Sequence, residues 1–285
     1  MRSMAAESLF WRQTSDGAVL CTLCPHACKL AEGVWGHCRA RRNVGGRMAL
    51  PYYADISSIA IDPVEKKPLR QFMPGSKTYS VGFWHCDMDC PFCQNWEIAH
   101  PVREARTEIS PERLIEMALD TRCPSISFTY SEPSIHIEYV LEAMRRARSK
   151  GLKTILVTNG NLLPEPARAV LAYTDATNVD FKSADPKLYR ALLGGNLSAV
   201  REFIRIAHEF CHVEITSLAV PGVLDSPKAI ETISKYLSEI SEDIPLHITS
   251  YHPAWHYHAS PLPASTLSAM REAALRHLRH VYTYF

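Results

Sequence analysis

His85-Cys86-Asp87-Met88-Asp89-Cys90-Pro91-Phe92-Cys93-Gln94-Asn95 sets three cysteines in a Cys-x3-Cys-x2-Cys run directly behind a β-type segment at 78–84. Three thiolates on one loop hold three irons of a [4Fe-4S] cluster that ordinarily takes four, which leaves one iron open to an exogenous ligand. The competing reading is a zinc knuckle completed by His85. Adjacent His85 and Cys86 make that tetrahedral arrangement awkward.

C-terminal to this loop, short β-type runs at 125–130, 154–157, 177–182, 212–220 and 246–251, with a last one from Val281, alternate with helical stretches. The helices are expected at 111–121, 134–149, 164–172, 197–209, 227–239 and 264–278. Pro111 and Pro227 sit just behind Ser110 and Ser226, a favourable helix start. Such alternation predicts parallel β/α units, in either a doubly wound sheet or a full or partial barrel. Residues 1–76 read differently, as a small Cys-, Arg- and Gly-rich lobe, with 77–285 as the main domain. In the strand candidate Asn178-Val179-Asp180-Phe181-Lys182, Asp180 and Lys182 share one face, the interior one if Val179 and Phe181 face helices.

The 285 residues carry 31 Lys+Arg against 30 Asp+Glu, a formal charge of +1, and are 46% hydrophobic. Wholesale disorder and a dedicated nucleic-acid clamp are therefore excluded. Arg39, Arg41, Arg42 and Arg47 read as a solvated basic loop, with a local patch that contacts phosphates as the alternative. No apolar run reaches the roughly 18 to 20 residues that span a bilayer, and residues 1–17 lack a signal-peptide core. A cytoplasmic protein without membrane attachment is expected, so its nine cysteines point to metal or redox chemistry rather than to disulfides. Cys123 and Cys211 read as small buried hydrophobes. Cys21, Cys24, Cys28 and Cys38 are compact enough for one further metal site, and structural zinc and a second iron-sulfur cluster both fit four thiolates. A metal staple suits a lobe with little apolar surface, and its loss is expected to leave the 86–93 loop untouched.

The loop and its context resemble the radical S-adenosylmethionine (SAM) superfamily, whose motif has this spacing with an aromatic residue, here Phe92, before the last cysteine. In Phe128-Thr129-Tyr130-Ser131-Glu132-Pro133, Glu132 resembles the acid that receives the methionine ammonium. Thr158-Asn159-Gly160, the Asp180-x-Lys182 pair, Pro221-Gly222-Val223-Leu224-Asp225 and Ser250-Tyr251-His252 are similar to segments of pyruvate formate-lyase activating enzymes. The resemblance implies that Asn159, Asp180, Lys182 and His252 lie near SAM or substrate and that adenine packs on backbone beside Phe92. A narrower likeness, to the AmmeMemoRadiSam group, rests on Cys21-Thr22-Leu23-Cys24-Pro25-His26-Ala27-Cys28, Gly33, Gly36, Cys38, the segment from Asp62-Pro63-Val64-Glu65 through Lys66-Lys67-Pro68-Leu69, Pro74-Gly75 and Cys93-Gln94-Asn95-Trp96. It covers nearly the whole chain but departs at the end, where members continue beyond the strand that Val281 begins. A frayed or missing last edge is expected.

The resemblance implies an α/β fold, a partial (β/α)6 TIM-type radical SAM barrel with a small Cys-rich N-terminal lobe. It implies a [4Fe-4S] cluster on Cys86, Cys90 and Cys93, SAM, and an electron donor such as flavodoxin or ferredoxin. Reductive cleavage of SAM to methionine and a 5′-deoxyadenosyl radical would precede hydrogen abstraction from an unidentified substrate: a protein, a small molecule, or a nucleotide or RNA. The fifth strand, Val213-Glu214-Ile215-Thr216-Ser217-Leu218, lacks the basic residue that activators of glycyl radical enzymes tend to place there, which disfavours that role. A non-catalytic iron-sulfur or zinc binding module is the rival from outside enzymology.

Overall fold

The structure is a computed structural model that describes residues 8–101 and 107–284. The chain opens with two small antiparallel units. β1 (Trp11–Gln13), β2 (Val19–Cys21) and β3 (Lys29–Leu30) form one, and the hairpin of β4 (Arg42–Val44) and β5 (Arg47–Ala49) forms the other. The hairpin turns on Gly45-Gly46, both left-handed at φ 63° and 72°, where a side chain would be strained.

Next come β6 (Ile56–Pro63), β7 (Lys77–Phe83), α1 (Trp96–Ala99), α2 (Pro111–Asp120), β8 (Ser125–Thr129), α3 (Ile137–Ser149), β9 (Lys153–Thr158), α4 (Pro164–Leu171) and β10 (Ala176–Asp180). The chain closes with α5 (Pro186–Ala191), α6 (Leu197–Phe210), β11 (His212–Ala219), α7 (Pro227–Ser238), β12 (Leu246–Ser250), α8 (Ala264–Leu275) and β13 (Val281–Tyr284). One eight-stranded sheet runs in the order β13-β12-β11-β10-β9-β8-β7-β6. β7 through β13 are parallel throughout, as helical crossover connections between neighbouring strands require, so the expected α/β fold is present. Ser110 accepts from Arg113 N–H (3.1 Å) and Ser226 from Ala229 N–H (3.3 Å), each ahead of a first-turn proline.

Three expectations need amending. Residues 56–63, assigned to the Cys-rich lobe by composition, form the antiparallel edge strand β6, with Ile56 opposite Phe83 and Asp62 opposite Thr78. A boundary at residue 76 therefore divides two paired strands. The final edge is neither missing nor frayed, because β13 pairs with β12 from Leu246–Val281 to Thr249–Tyr284. The basic stretch is not uniformly solvated. Arg41 is 1% exposed, donates to both oxygens of buried Glu138 on α3 (2.8 and 2.7 Å), and thereby docks the N-terminal units on the main domain.

The segment between β6 and β7 closes one end of the concave face. Val64 and Leu69 are fully buried with Ile155 and Ala176, against Phe72 and Val157. Each such aliphatic side chain contributes about 1.5 to 3 kcal/mol. Asn178 donates to Pro68 O (2.8 Å), and buried Glu214 accepts from Arg70 N–H (2.9 Å) and Gln71 N–H (2.8 Å). Its oxygens also meet the Nε2 atoms of His212 (2.9 Å) and His247 (2.6 Å). Ile155, Ala176, His212 and His247 stand near the N-terminal ends of their strands, so this segment is a floor and leaves the C-terminal ends as the mouth.

Burial alone would raise the Glu214 carboxyl, but the two imidazoles and two backbone donors outweigh it and hold the group at about 2. The stabilisation is thus present above the ordinary carboxylate range and is lost as pH falls toward 2. Glu214→Gln should cost about 1.5 to 3 kcal/mol near neutral pH in urea unfolding, with the gap to wild type narrowing as pH drops from 4.5 to 2. Equal stabilities at pH 7 would contradict the floor's dependence on this carboxylate.

Candidate functional site

At the mouth, β7 ends and the chain turns through His85 in the left-handed region (φ 69°). Tyr130 and Ser131, just beyond β8, are left-handed too (φ 48° and 57°), and Ser131 Oγ donates to the His85 carbonyl. Non-glycine residues held there cost of order 1 to 3 kcal/mol each and concentrate where function demands them. The loop is then pinned by backbone from three sides. His85 N–H donates to Ile98 O (2.8 Å), Asp89 N–H to Leu193 O (2.9 Å), and His256 N–H to Pro91 O (3.0 Å).

Cys90 is buried and Cys86 and Cys93 are half-buried. Desolvation pushes all three thiols up, Cys90 to about 12, while the Lys182 ammonium pulls Cys90 and Cys93 the other way. Thiols so placed become thiolates when a cation joins them. Among the described residues, no three His, Cys, Asp or Glu side chains are gathered closely enough for a single metal ion. A cubane cluster spaces its thiolates more widely than one ion does, and one buried and two half-buried thiols on one loop, with Lys182 near Cys90 and Cys93, fit it.

Glu132, 1% exposed, lies across from Cys86. One oxygen accepts from Thr158 Oγ1 (2.7 Å) and Ser134 N–H (3.0 Å), the other from Asn159 N–H (2.8 Å). Burial and the nearby Asp87 carboxylate push Glu132 up to about 7 against these donors. Asp180 and Lys182 share the concave face, paired at 2.9 Å, while Val179 and Phe181 are buried and Phe181 packs edge-on against Tyr236 of α7. Desolvation would lower the Lys182 ammonium, but Asp180 and Cys90 raise it on balance. Phe92 is buried edge-on to Tyr257, 6.0 Å between centroids.

The two remaining candidates lie at the same end of the sheet. The Asn159 carboxamide donates to Asp87 Oδ1 (2.8 Å) and reaches Cys86 Sγ (3.8 Å), so it braces the thiol loop beside the first cysteine. His252 is exposed on the segment after β12, with no polar partner among the described residues. Cys123 is buried and Cys211 half-buried against the core, as expected of small hydrophobes.

Sequence reasoning passed over Asp87, which is fully buried between Asn159 and Asn161, the latter donating to Oδ2 (2.9 Å). It also passed over Gly194-Gly195, although a Gly-Gly pair is a turn signal. A Cβ on Gly195 would meet Met88 Cε at 2.7 Å, and Gly194, at φ 67°, lies against Asp89. The N-terminal lobe touches the same loop, contrary to its expected independence. His26 Nε2 bonds Asp87 O (2.8 Å) and His37 pairs with the Asp89 carboxylate (3.0 Å). Cys21, Cys24 and Cys38 are buried and Cys28 half-buried, with Cys38 pushed by desolvation to about 12.

A family model described as the radical SAM superfamily matches residues 85–233, more than half of the chain. The chain belongs to the radical SAM superfamily. An uncharacterized protein of Methanocaldococcus jannaschii is 33% identical over 282 residues, covering 97% of this chain and 84% of its own. The 7-carboxy-7-deazaguanine synthase of Thermococcus kodakarensis is 30% identical over 198 residues, 63% of this chain and 76% of that protein. Among solved structures, Streptococcus suis SuiB bound to precursor peptide SuiA matches with a TM-score of 0.57 at 17% identity, over 72% of this chain and 48% of that one. That likeness is one of fold. No helix among the described residues is long and apolar enough to cross a membrane.

For a radical SAM protein the test of Glu132 is direct. A buried carboxylate that accepts an N–H from SAM's amino group contributes about 1.5 to 3 kcal/mol, so Glu132→Gln is expected to weaken SAM binding at least tenfold by equilibrium dialysis and leave cluster iron unchanged. Only an ionised carboxylate accepts strongly from such a cationic or N–H donor, so the same role predicts that wild-type affinity falls as pH drops below about 7. An unchanged dissociation constant would remove Glu132 from the SAM site.

Proposed function

We propose that the protein is a radical SAM enzyme that holds a [4Fe-4S] cluster on Cys86, Cys90 and Cys93 and abstracts hydrogen from a substrate bound at the mouth of the sheet. The observation that carries this reading is the convergence of the three thiols, Glu132 and the Asp180–Lys182 pair at the C-terminal strand ends, above a closed floor. When bound, the cluster would supply one electron to the sulfonium of SAM, giving methionine and a 5′-deoxyadenosyl radical. The chain's own residues bind and orient. Glu132 accepts an N–H from the methionine amino group, Lys182 offsets negative charge near Cys90 and Cys93, and the adenine packs on the backbone beside Phe92. Asp87, Asn159 and Asn161 fix the loop.

A small-molecule substrate is favoured over a glycyl radical enzyme. On the concave face of β11, Glu214 holds the floor and Thr216 Oγ1 bonds Asn178 Oδ1 (2.9 Å), with no arginine between them to greet a partner protein. The relative named as a 7-carboxy-7-deazaguanine synthase supports the same choice. Cys21, Cys24, Cys28 and Cys38, whose thiols also stand further apart than a single ion needs, would serve as the thiolate ligands of a second, structural metal site.

Anaerobic protein with reconstituted cluster, dithionite and SAM should release 5′-deoxyadenosine and methionine. Changing Cys86, Cys90 and Cys93 to Ala together should abolish both the release and the SAM-responsive cluster spectrum. Absence of release from intact reduced protein would favour a binding module instead. Metal analysis tests the quartet. About one zinc beside about four irons per chain marks a zinc staple, and about eight irons a second cluster. Four irons and no zinc would contradict a second site.

A further inference from the structure

Four separate parts of the chain bring His26, His37, Arg39, His100, Arg190 and His256 around the outer side of the cluster loop. His26, His37 and Arg190 line a cleft of about 440 Å³ with Asp89. His37 pairs with the Asp89 carboxylate at 3.0 Å, and His100 and Arg39 stand within electrostatic range of it. His256 stands close to His100, whose ring stacks on Trp255 at 4.3 Å. Arg39 and Arg190 are exposed, and among the described residues neither is held in an ion pair. Guanidinium groups keep their charge at any working pH, so two fixed positive charges stand here on a chain whose formal charge is only +1.

The position of the patch gives it a use. The Asp89 side chain is 53% exposed, whereas Cys90, the next residue, is 7% exposed. The covalent path from solvent to a cluster thiolate is therefore a single residue long at this face. An electron must reach the cluster from outside, and the mouth is required for SAM and substrate. Transient electron-transfer encounters use small interfaces steered by complementary charge rather than large apolar ones. An RNA fits less well, since it would ask for a longer run of phosphate contacts and for aromatic faces open to stacking, and the Trp255 face is covered by His100.

We propose that the cationic face around Asp89, anchored by Arg39 and Arg190, docks a small acidic one-electron carrier of the flavodoxin or ferredoxin type and passes its electron to the cluster through Cys90. This rests on the radical SAM reading above. The step balances, because the carrier is oxidised by one electron and the cluster reduced by one, with no proton or group transferred. The test compares two reductants in the full-length reconstituted enzyme, dithionite and enzymatically reduced flavodoxin, with 5′-deoxyadenosine as the readout. Arg39→Glu with Arg190→Glu should leave the dithionite-driven rate within twofold of wild type and cut the flavodoxin-driven rate at least tenfold at low salt. Arg39→Gln with Arg190→Gln should give an intermediate loss, and the wild-type flavodoxin rate should fall as salt rises. Equal flavodoxin rates for wild type and the Glu variant would overturn the proposal. So would parallel losses with both reductants, or a loss of binding to a generic structured RNA with flavodoxin turnover intact. No product from wild type with dithionite would instead overturn the radical SAM reading itself, and this proposal with it.

Discussion

The Asp87 carboxylate is the interaction on which the site depends. It is fully buried, and a buried carboxylate is tolerable only with its oxygens satisfied. Asn159 supplies one carboxamide donor and Asn161 the other, both from the segment that leaves β9. The carbonyl of the same residue accepts from His26 of the N-terminal lobe. One residue thus ties the thiol loop after β7 to the end of β9 and to the Cys-rich lobe. Its charge is also one reason that Glu132 holds its proton more tightly than an ordinary carboxyl. Cys86 is therefore held between two acids whose geometry is set before any ligand arrives.

The same logic governs the far end of the sheet. The stretch from Asp62 to Leu69 is a structural plug: Lys67 is buried against Asp62 (2.7 Å) and over the ring of Tyr130 (4.2 Å), while Val64 and Leu69 fill the floor. Tyr130 also donates to Asp62 Oδ2 (2.5 Å) from just behind the strained turn that carries Ser131 and Glu132. The floor and the mouth are consequently linked by one ion-paired column rather than by apolar packing alone. The Glu214 network performs the corresponding task on the opposite half of the sheet.

Much of this could be read in the sequence because the main signals are local. Strand and helix positions follow from periodicity, and the Ser-Pro helix starts from capping. The shared face of Asp180 and Lys182 follows from the two-residue repeat of a strand. Features that depend on distant partners were hidden. The edge strand β6 was absorbed into a compositional lobe, since Ile59 and Ile61 face solvent and give no clean alternation. Arg41 looked like one arginine among four until Glu138, 97 residues away, claimed it. Asn159 was picked out by motif, but its partner Asp87 lies 72 positions earlier, and only the fold brings them together.

The central claim is that Cys86, Cys90 and Cys93 would hold a cluster with one iron open to SAM, whose unprotonated amino nitrogen would bind there through its lone pair and donate its remaining N–H to Glu132. Electron–nuclear double resonance on the reduced cluster with SAM carrying a 15N-labelled amino group measures that contact directly. The account predicts a 15N hyperfine coupling in wild type that is lost when Cys86, Cys90 and Cys93 are replaced. A reduced cluster whose spectrum shows no 15N coupling at saturating SAM would contradict it.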